Sequence, residues 1–450
     1  MNWRILQQIM LCGGMCTLLL GCASISRGIT EGIMGNPDEV KDTRMCKIEG
    51  PAFEGIQTLI QKQNLPLSAL KNAERRLTTK LLMIHGIGTH HPGYSSRFAE
   101  NLTRALNLTV TQEQVKEIDL HDPRRAPGKD LGHLKIHRFF DRAQTRELLF
   151  YELTWSAITE AQKQAIAYDN SGEYSYRRAN LNDTMKVFLN NHISDPLLYS
   201  GNLRELVLLS VIQASCWMNY GEWDQYPNDT DQYCSTSKSP EYARQLAEDD
   251  IIIVTHSLGS RIAVDAWQYL VGELNSAESQ RVLEGKGNYG PEEIRNVRLF
   301  LDGFKQKAVP LFMLANQLPL LQLGRERPEV IGKPDQYCQP EGSHYTQRLF
   351  KQLRIVAFSD PNDLFSYAIP PKYADENMDS RLCPKITNVV LNVAPVNNLF
   401  GIGELANPLT AHSAYDDDER IIGLIALGIS HDHVDPIVQD RCTWLEMVEE

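Results

Sequence analysis

Apolar positions along this chain fall into runs of two kinds. The first, Ile9 to Leu20, contains no charge, and Arg4 is the only charged residue in the first 22. It is too short to cross a bilayer comfortably and reads as the core of a signal peptide over residues 1–21. The later runs are shorter and regularly placed. Lys80-Leu81-Leu82-Met83-Ile84 reads as a buried strand, residues 147–155 as a second, and Ile251-Ile252-Ile253-Val254 as a central parallel strand. Further strands are expected at Val309–Leu314, Arg354–Phe358 and Ile386–Val393, with helices over Ser95–Leu106, Arg261–Leu270 and Asp417–Leu427. Strands alternating with helical segments predict an α/β fold with a mostly parallel sheet.

Two stretches lack strand signals. Residues 23–75 are polar and carry Gly35, Pro37, Gly50 and Pro51, so 22–77 reads as a tether followed by a short helical segment. Residues 156–248 contain helical stretches, notably Leu203–Met218, and read as a cap inserted over the sheet of a domain spanning 78–450. Leu203–Met218 has two readings: a lid whose apolar face meets lipid or acyl chains, or a helix of the cap's own core.

A net charge of −12 gives no basic patch for nucleic acid and argues against purely electrostatic docking on anionic lipid heads. Beyond residue 22 six cysteines remain, Cys46, Cys216, Cys234, Cys338, Cys383 and Cys442. An even number in an oxidising compartment suggests disulfides, and their pairing is open. No two lie close enough for a zinc knuckle, so neither a metal site nor a cofactor is expected.

The strongest chemical signal is Val254-Thr255-His256-Ser257-Leu258-Gly259-Ser260, directly after the apolar strand and before a helical run. That is the strand–turn–helix setting of a nucleophile elbow, which holds a serine hydroxyl above a sheet at a helix N-terminus. Its turn favours small residues on both sides; Gly259 conforms and Thr255 departs. The plain alternative is a serine N-cap. The second signal is His85-Gly86-Ile87-Gly88, where glycines let the backbone approach closely enough to aim N–H groups at an oxyanion. Together these segments resemble the lipase branch of the α/β-hydrolase superfamily over roughly residues 78–430.

That resemblance implies an α/β-hydrolase fold with a triad in the order serine, acid, histidine. Ser257 is then the nucleophile, and Ile87 and Leu258 supply the oxyanion N–H groups. In Ser359-Asp360-Pro361-Asn362-Asp363, Asp363 stands where the acid falls, with Asp360 as the alternative, and either could instead be turn-forming. His412, in Thr410-Ala411-His412-Ser413-Ala414-Tyr415, is the expected base, ahead of His431 and His433; His85, His90, His91 and His256 are assigned no chemical role. The implied activity is ester hydrolysis of a lipase or phospholipase kind, on an ester or lipid substrate. Acyl transfer on the same triad and a non-catalytic partner-binding lipoprotein are the alternatives.

The N-terminal ending Leu19-Leu20-Gly21-Cys22 resembles the lipobox of bacterial lipoproteins. By that resemblance Cys22 is the acylated first residue of the mature chain and anchors it to the cell envelope, and Ala23 after it favours the outer membrane.

Overall fold

The computed structural model describes residues 45–62, 77–109, 115–167, 179–219, 221–227, 233–234, 240–286, 290–398 and 404–446. The signal-peptide segment and Cys22 lie outside them. A ten-stranded sheet forms the centre. In chain order its strands are β1 (Cys46–Glu49), β2 (Leu77–Ile84), β3 (Val115–Asp119), β4 (His133–Phe140), β5 (Arg146–Thr154), β6 (Asp250–His256), β7 (Ala308–Leu314), β8 (Gln352–Ser359), β9 (Pro384–Leu391) and β10 (Thr443–Leu445). They are arranged β10-β1-β9-β8-β7-β6-β2-β5-β4-β3. The six strands from β9 to β5 run parallel, while β5-β4 and β4-β3 are antiparallel.

Burial explains the parallel block. In β6 the residues Ile251 to Thr255 are buried without alternation, as a strand covered on both faces requires. Helices supply those covers. Ser96–Ala105 (α1) and Glu419–Leu427 (α4) lie on one face, with Phe98, Leu102, Ile421 and Ile425 in contact with that half of the core. Arg204–Met218 (α2) and Gly259–Leu274 (α3) cover the other, through Val207, Trp217, Ile262 and Trp267. α2 is buried nearly all round and meets α3 along its length, so of its two readings the structure shows the core helix. The described part of residues 156–248 is helical elsewhere too, at Ala157–Ala167, Asn180–Phe188 and Ser194–Ser200.

Several elements differ from the expectation. Cys46–Glu49, inside the segment read as a tether, is a strand paired antiparallel with β9 and parallel with β10. β3 and β4 lack a continuous apolar run at their start: β3 buries only Ile118, and β4 opens by alternating polar with buried residues, as in His133-Leu134-Lys135-Ile136. The six cysteines form Cys46–Cys442, Cys216–Cys234 and Cys338–Cys383. The first closes the sheet edge onto the C-terminal segment, 396 residues away in sequence. Among the described residues no helix is long and apolar enough to cross a membrane, and no cluster of ligands suits a metal ion.

β2 has β5 on one side and β6 on the other, so the direction in which the chain crosses the sheet reverses between β2 and β6. Beyond the carboxyl ends of strands at such a switch point lies the natural crevice of a parallel sheet.

Candidate active site

Ser257 follows the last residue of β6 and has φ 54, a left-handed conformation that side-chain-bearing residues avoid. The turn is held by its N–H, which donates to the Leu314 carbonyl at 2.9 Å, and by Ser260, whose N–H and hydroxyl donate to the Ser257 carbonyl at 3.0 and 2.7 Å. Two glycines create the room. A Cβ on Gly86 would meet Ser257 Cβ at 2.5 Å, and one on Gly259 would meet the Ile84 carbonyl oxygen at the same distance. The turns after β2 and β6 therefore touch backbone to backbone. Thr255, where the turn favours a small residue, is fully buried within the strand.

From this turn a hydrogen-bonded series runs through side chains contributed by distant segments. The Ser257 hydroxyl lies 3.0 Å from His412 Nε2, and His412 Nδ1 lies 2.9 Å from both carboxylate oxygens of Asp363. A carboxylate accepts only, so the His412 proton sits on Nδ1 and Nε2 is free to accept from the serine. Burial raises the Asp363 carboxyl, but hydrogen bonds from His412, Phe365 N–H and Ser366 outweigh it and hold the group below its usual range. Tyr415, fully buried, donates to Asp363 Oδ2 at 3.2 Å and accepts the Asp360 N–H at 2.8 Å.

Asp360 has a different place. Its carboxylate accepts the N–H groups of Val393 and Ala394 at 2.7 and 3.1 Å and of Asn362 at 2.7 Å. It ties the end of β8 to the end of β9 and makes no contact with His412. His412 lies on a short helix, Pro408–Ser413, rather than in a loop. His431 is exposed and pairs with Glu446, and His433 is exposed on a short edge strand, both away from Ser257.

The oxyanion candidates are supported from behind. Among the described residues neither the Ile87 nor the Leu258 N–H has a hydrogen-bond partner. The loop carrying Ile87 is pinned at three points. His85, fully buried, accepts the Trp155 N–H at Nε2 (3.1 Å) and so donates from Nδ1 to the Gly86 carbonyl (2.8 Å). His90 Nε2 lies 3.1 Å from the Ile87 carbonyl. The Gly88 N–H donates to Asp195 at 2.7 Å, and Asp195, fully buried, pairs with Lys163 at 2.8 Å and accepts from Thr159 at 2.9 Å. His192 rests against Gly88, whose φ is +102, from a π-helical turn at Leu189–Ile193. Irregular turns of this kind recur at functional sites.

His256 sits beneath the histidine. Its Nε2 lies 3.0 Å from the His412 carbonyl, and burial, with His412 nearby, pushes its pKa down to about 3. It is therefore neutral and donates to that carbonyl, fixing the main chain of His412. The positioning groups His256, Asp195, Lys163 and Trp155 had no readable signal, since each is defined by a partner far away in sequence. Tyr415 stood within the segment that singled out His412.

A serine hydroxyl on a neutral imidazole, itself oriented by a carboxylate, can pass its proton to that imidazole as it attacks an electrophile. Comparison with protein-family models, with curated proteins and with solved structures finds no match to this chain.

Proposed function

We propose that this chain is a serine ester hydrolase of the α/β-hydrolase type, acting through an acyl-enzyme on Ser257. The observation that carries the reading is the series Ser257–His412–Asp363, with the serine in a strained turn at the switch point of the sheet. Strain of this kind persists where the surroundings over-determine it, and it clusters at reactive sites.

In this mechanism His412 Nε2 takes the hydroxyl proton as Ser257 Oγ bonds to the acyl carbon. The carbonyl oxygen becomes an oxyanion that accepts from the Ile87 and Leu258 N–H groups, at the start of α3, where the helix dipole favours negative charge. His412 then gives its proton to the departing alkoxide. Water, deprotonated by the same imidazole, releases the acid and restores the hydroxyl. Asp363 stabilises the imidazolium in both halves.

The substrate class is an ester with a substantial apolar part, of the lipase or phospholipase kind. Its support is three exposed leucines on segments that follow strands of the sheet or adjoin the group that holds the loop after β2. Leu364 is 60% exposed beside Asp363, Leu323 is 87% exposed after β7, and Leu197 is 71% exposed two residues past Asp195. Single exposed leucines are ordinary, but several on segments around one site mark a contact surface. A lipid anchor at Cys22 would hold these leucines near a bilayer in the cell envelope. The test is a series of p-nitrophenyl esters from acetate to palmitate, with phospholipids and an added alcohol acceptor. The expected result is hydrolysis that is abolished by Ser257→Ala and improves with acyl length. Absence of any esterase activity, or equal activity in the alanine variant, contradicts the reading. A Cys22→Ser variant found in the soluble fraction supports the anchor.

A further inference from the structure

A cavity of about 430 Å³ lies on the face of the sheet that α2 and α3 cover. Its lining includes Ile251 and Ile253 of β6 and Val309 of β7, and Ile253 is four residues before Ser257. At the rise of a strand that is roughly 13 Å, and Ser257, His412, Asp363, Ile87 and Leu258 do not line the cavity. Its walls are α2, α3 and a back helix, Pro291–Phe304. α3 contributes Ala266, Trp267, Leu270 and Leu274, one face at helical spacing, and the back helix contributes Val297 and Phe304.

A space of this size falls in the range of ordinary small-ligand sites, roughly 300–1,000 Å³, which are likewise mostly apolar with a few polar groups. The polar groups here are specific. Asp122 accepts the N–H groups of Arg124 and Arg125 at 3.0 and 3.1 Å, so its charge serves the turn. Arg125 has Glu273 at 3.7 Å. Arg124 lies over the ring of Tyr233 at 5.2 Å and has no carboxylate within ion-pair distance among the described residues. The Ser215 hydroxyl lines the cavity and is buried without a hydrogen-bond partner among them.

We propose that this cavity binds a single-chain amphiphile with an anionic head group, its alkyl tail between α3 and the back helix and its head at Arg124. A flexible tail fits an apolar slot between helices, and a guanidinium on an aromatic ring at its mouth recognises carboxylate or phosphate. The site does not depend on Ser257 being a nucleophile.

The experiment measures displacement of cis-parinaric acid from the delipidated full chain carrying Ser257→Ala, by decanoate, laurate, myristate, dodecyl phosphate and dodecanol. Saturable binding is expected, tightening by about fourfold per methylene until the cavity is full. Laurate and dodecyl phosphate should each compete better than dodecanol, and their relative strength separates a fatty-acid from a phosphate source. Arg124→Glu should weaken laurate at least tenfold and leave dodecanol unchanged. Val297→Trp, at a half-buried wall position, should reduce myristate binding more than decanoate, with circular dichroism confirming the fold. Binding abolished when the wild-type serine is blocked by a fluorophosphonate would assign the ligand to Ser257 and overturn the proposal. So would equal affinity for laurate and dodecanol, or indifference to both substitutions.

Discussion

Ser257 occupies a conformation that serine avoids, and Gly86 and Gly259 are what make room for it. Its chemistry on this account rests on three side chains acting as one unit. Ser257→Ala and His412→Ala should each lower kcat by about 10⁴-fold or more, and the double variant by little beyond either alone. Asp363→Asn should cost somewhat less, because it disturbs the tautomer and orientation of His412 rather than removing the base. Asp360→Asn separates structure from chemistry. It weakens a buried clamp on Val393, Ala394 and Asn362, so thermal unfolding should show a loss of about 1–3 kcal/mol. Below the unfolding temperature its kcat should stay within a few-fold of wild type. A kcat as low as that of the Asp363 variant, at unchanged stability, would move the acid to Asp360. Sequence left the two aspartates three residues apart in one turn, since both suit turn chemistry. The structure separates them by their partners, His412 for one and main-chain N–H groups for the other.

At the scale of elements, what was readable was local. Four β-branched residues followed by Ser-Leu-Gly specify strand, turn and helix without reference to the rest of the chain, and β6, Ser257 and α3 are found there. β10 is a short edge strand and β1 the short strand beside it, and their place depends on pairing and on Cys46–Cys442, which no local pattern encodes. Nor could spacing show that Lys163 and Asp195, 32 residues apart, hold the loop after β2. Removing one partner of such a buried pair strands the other charge and costs about 3–5 kcal/mol, whereas replacing both is milder. Asp195→Ala should therefore destabilise more than the Lys163→Met/Asp195→Leu double variant, as denaturant unfolding would record. Both should lower kcat by freeing Gly88. Gly86→Ala should reduce kcat by on the order of 10²–10³, the loss of one oxyanion donor, because the added methyl drives the loop off Ser257. Near-normal turnover in that variant would remove Ile87 from the mechanism.

Across the whole molecule, four histidines near the site, His85, His90, His192 and His256, are held below their ordinary pKa, in each case chiefly by burial. A base depressed in the folded state is protonated first in the unfolded chain, so stability should fall as pH drops below about 6.5. Each such proton adds about 1.4 kcal/mol per pH unit to the slope. Asp416 acts oppositely. Burial, with Asp417 beside it, raises its pKa to about 6, so it favours the folded state as pH falls toward 4. Four groups are shifted this way and one the other, and His256 is held down to about 3, so Tm should decline from pH 6.5 to 4.5; a flat profile would mean that these histidines are solvated. The disulfides are present at every pH and leave this slope unchanged. Whether Ser257 is an activated nucleophile is decided by labelling the full chain with a fluorophosphonate and locating the adduct by peptide mass spectrometry. One phosphonyl group per chain is expected, on Ser257, with labelling slowed by orders of magnitude in His412→Ala. An unlabelled protein, or a label on any other serine, would contradict it.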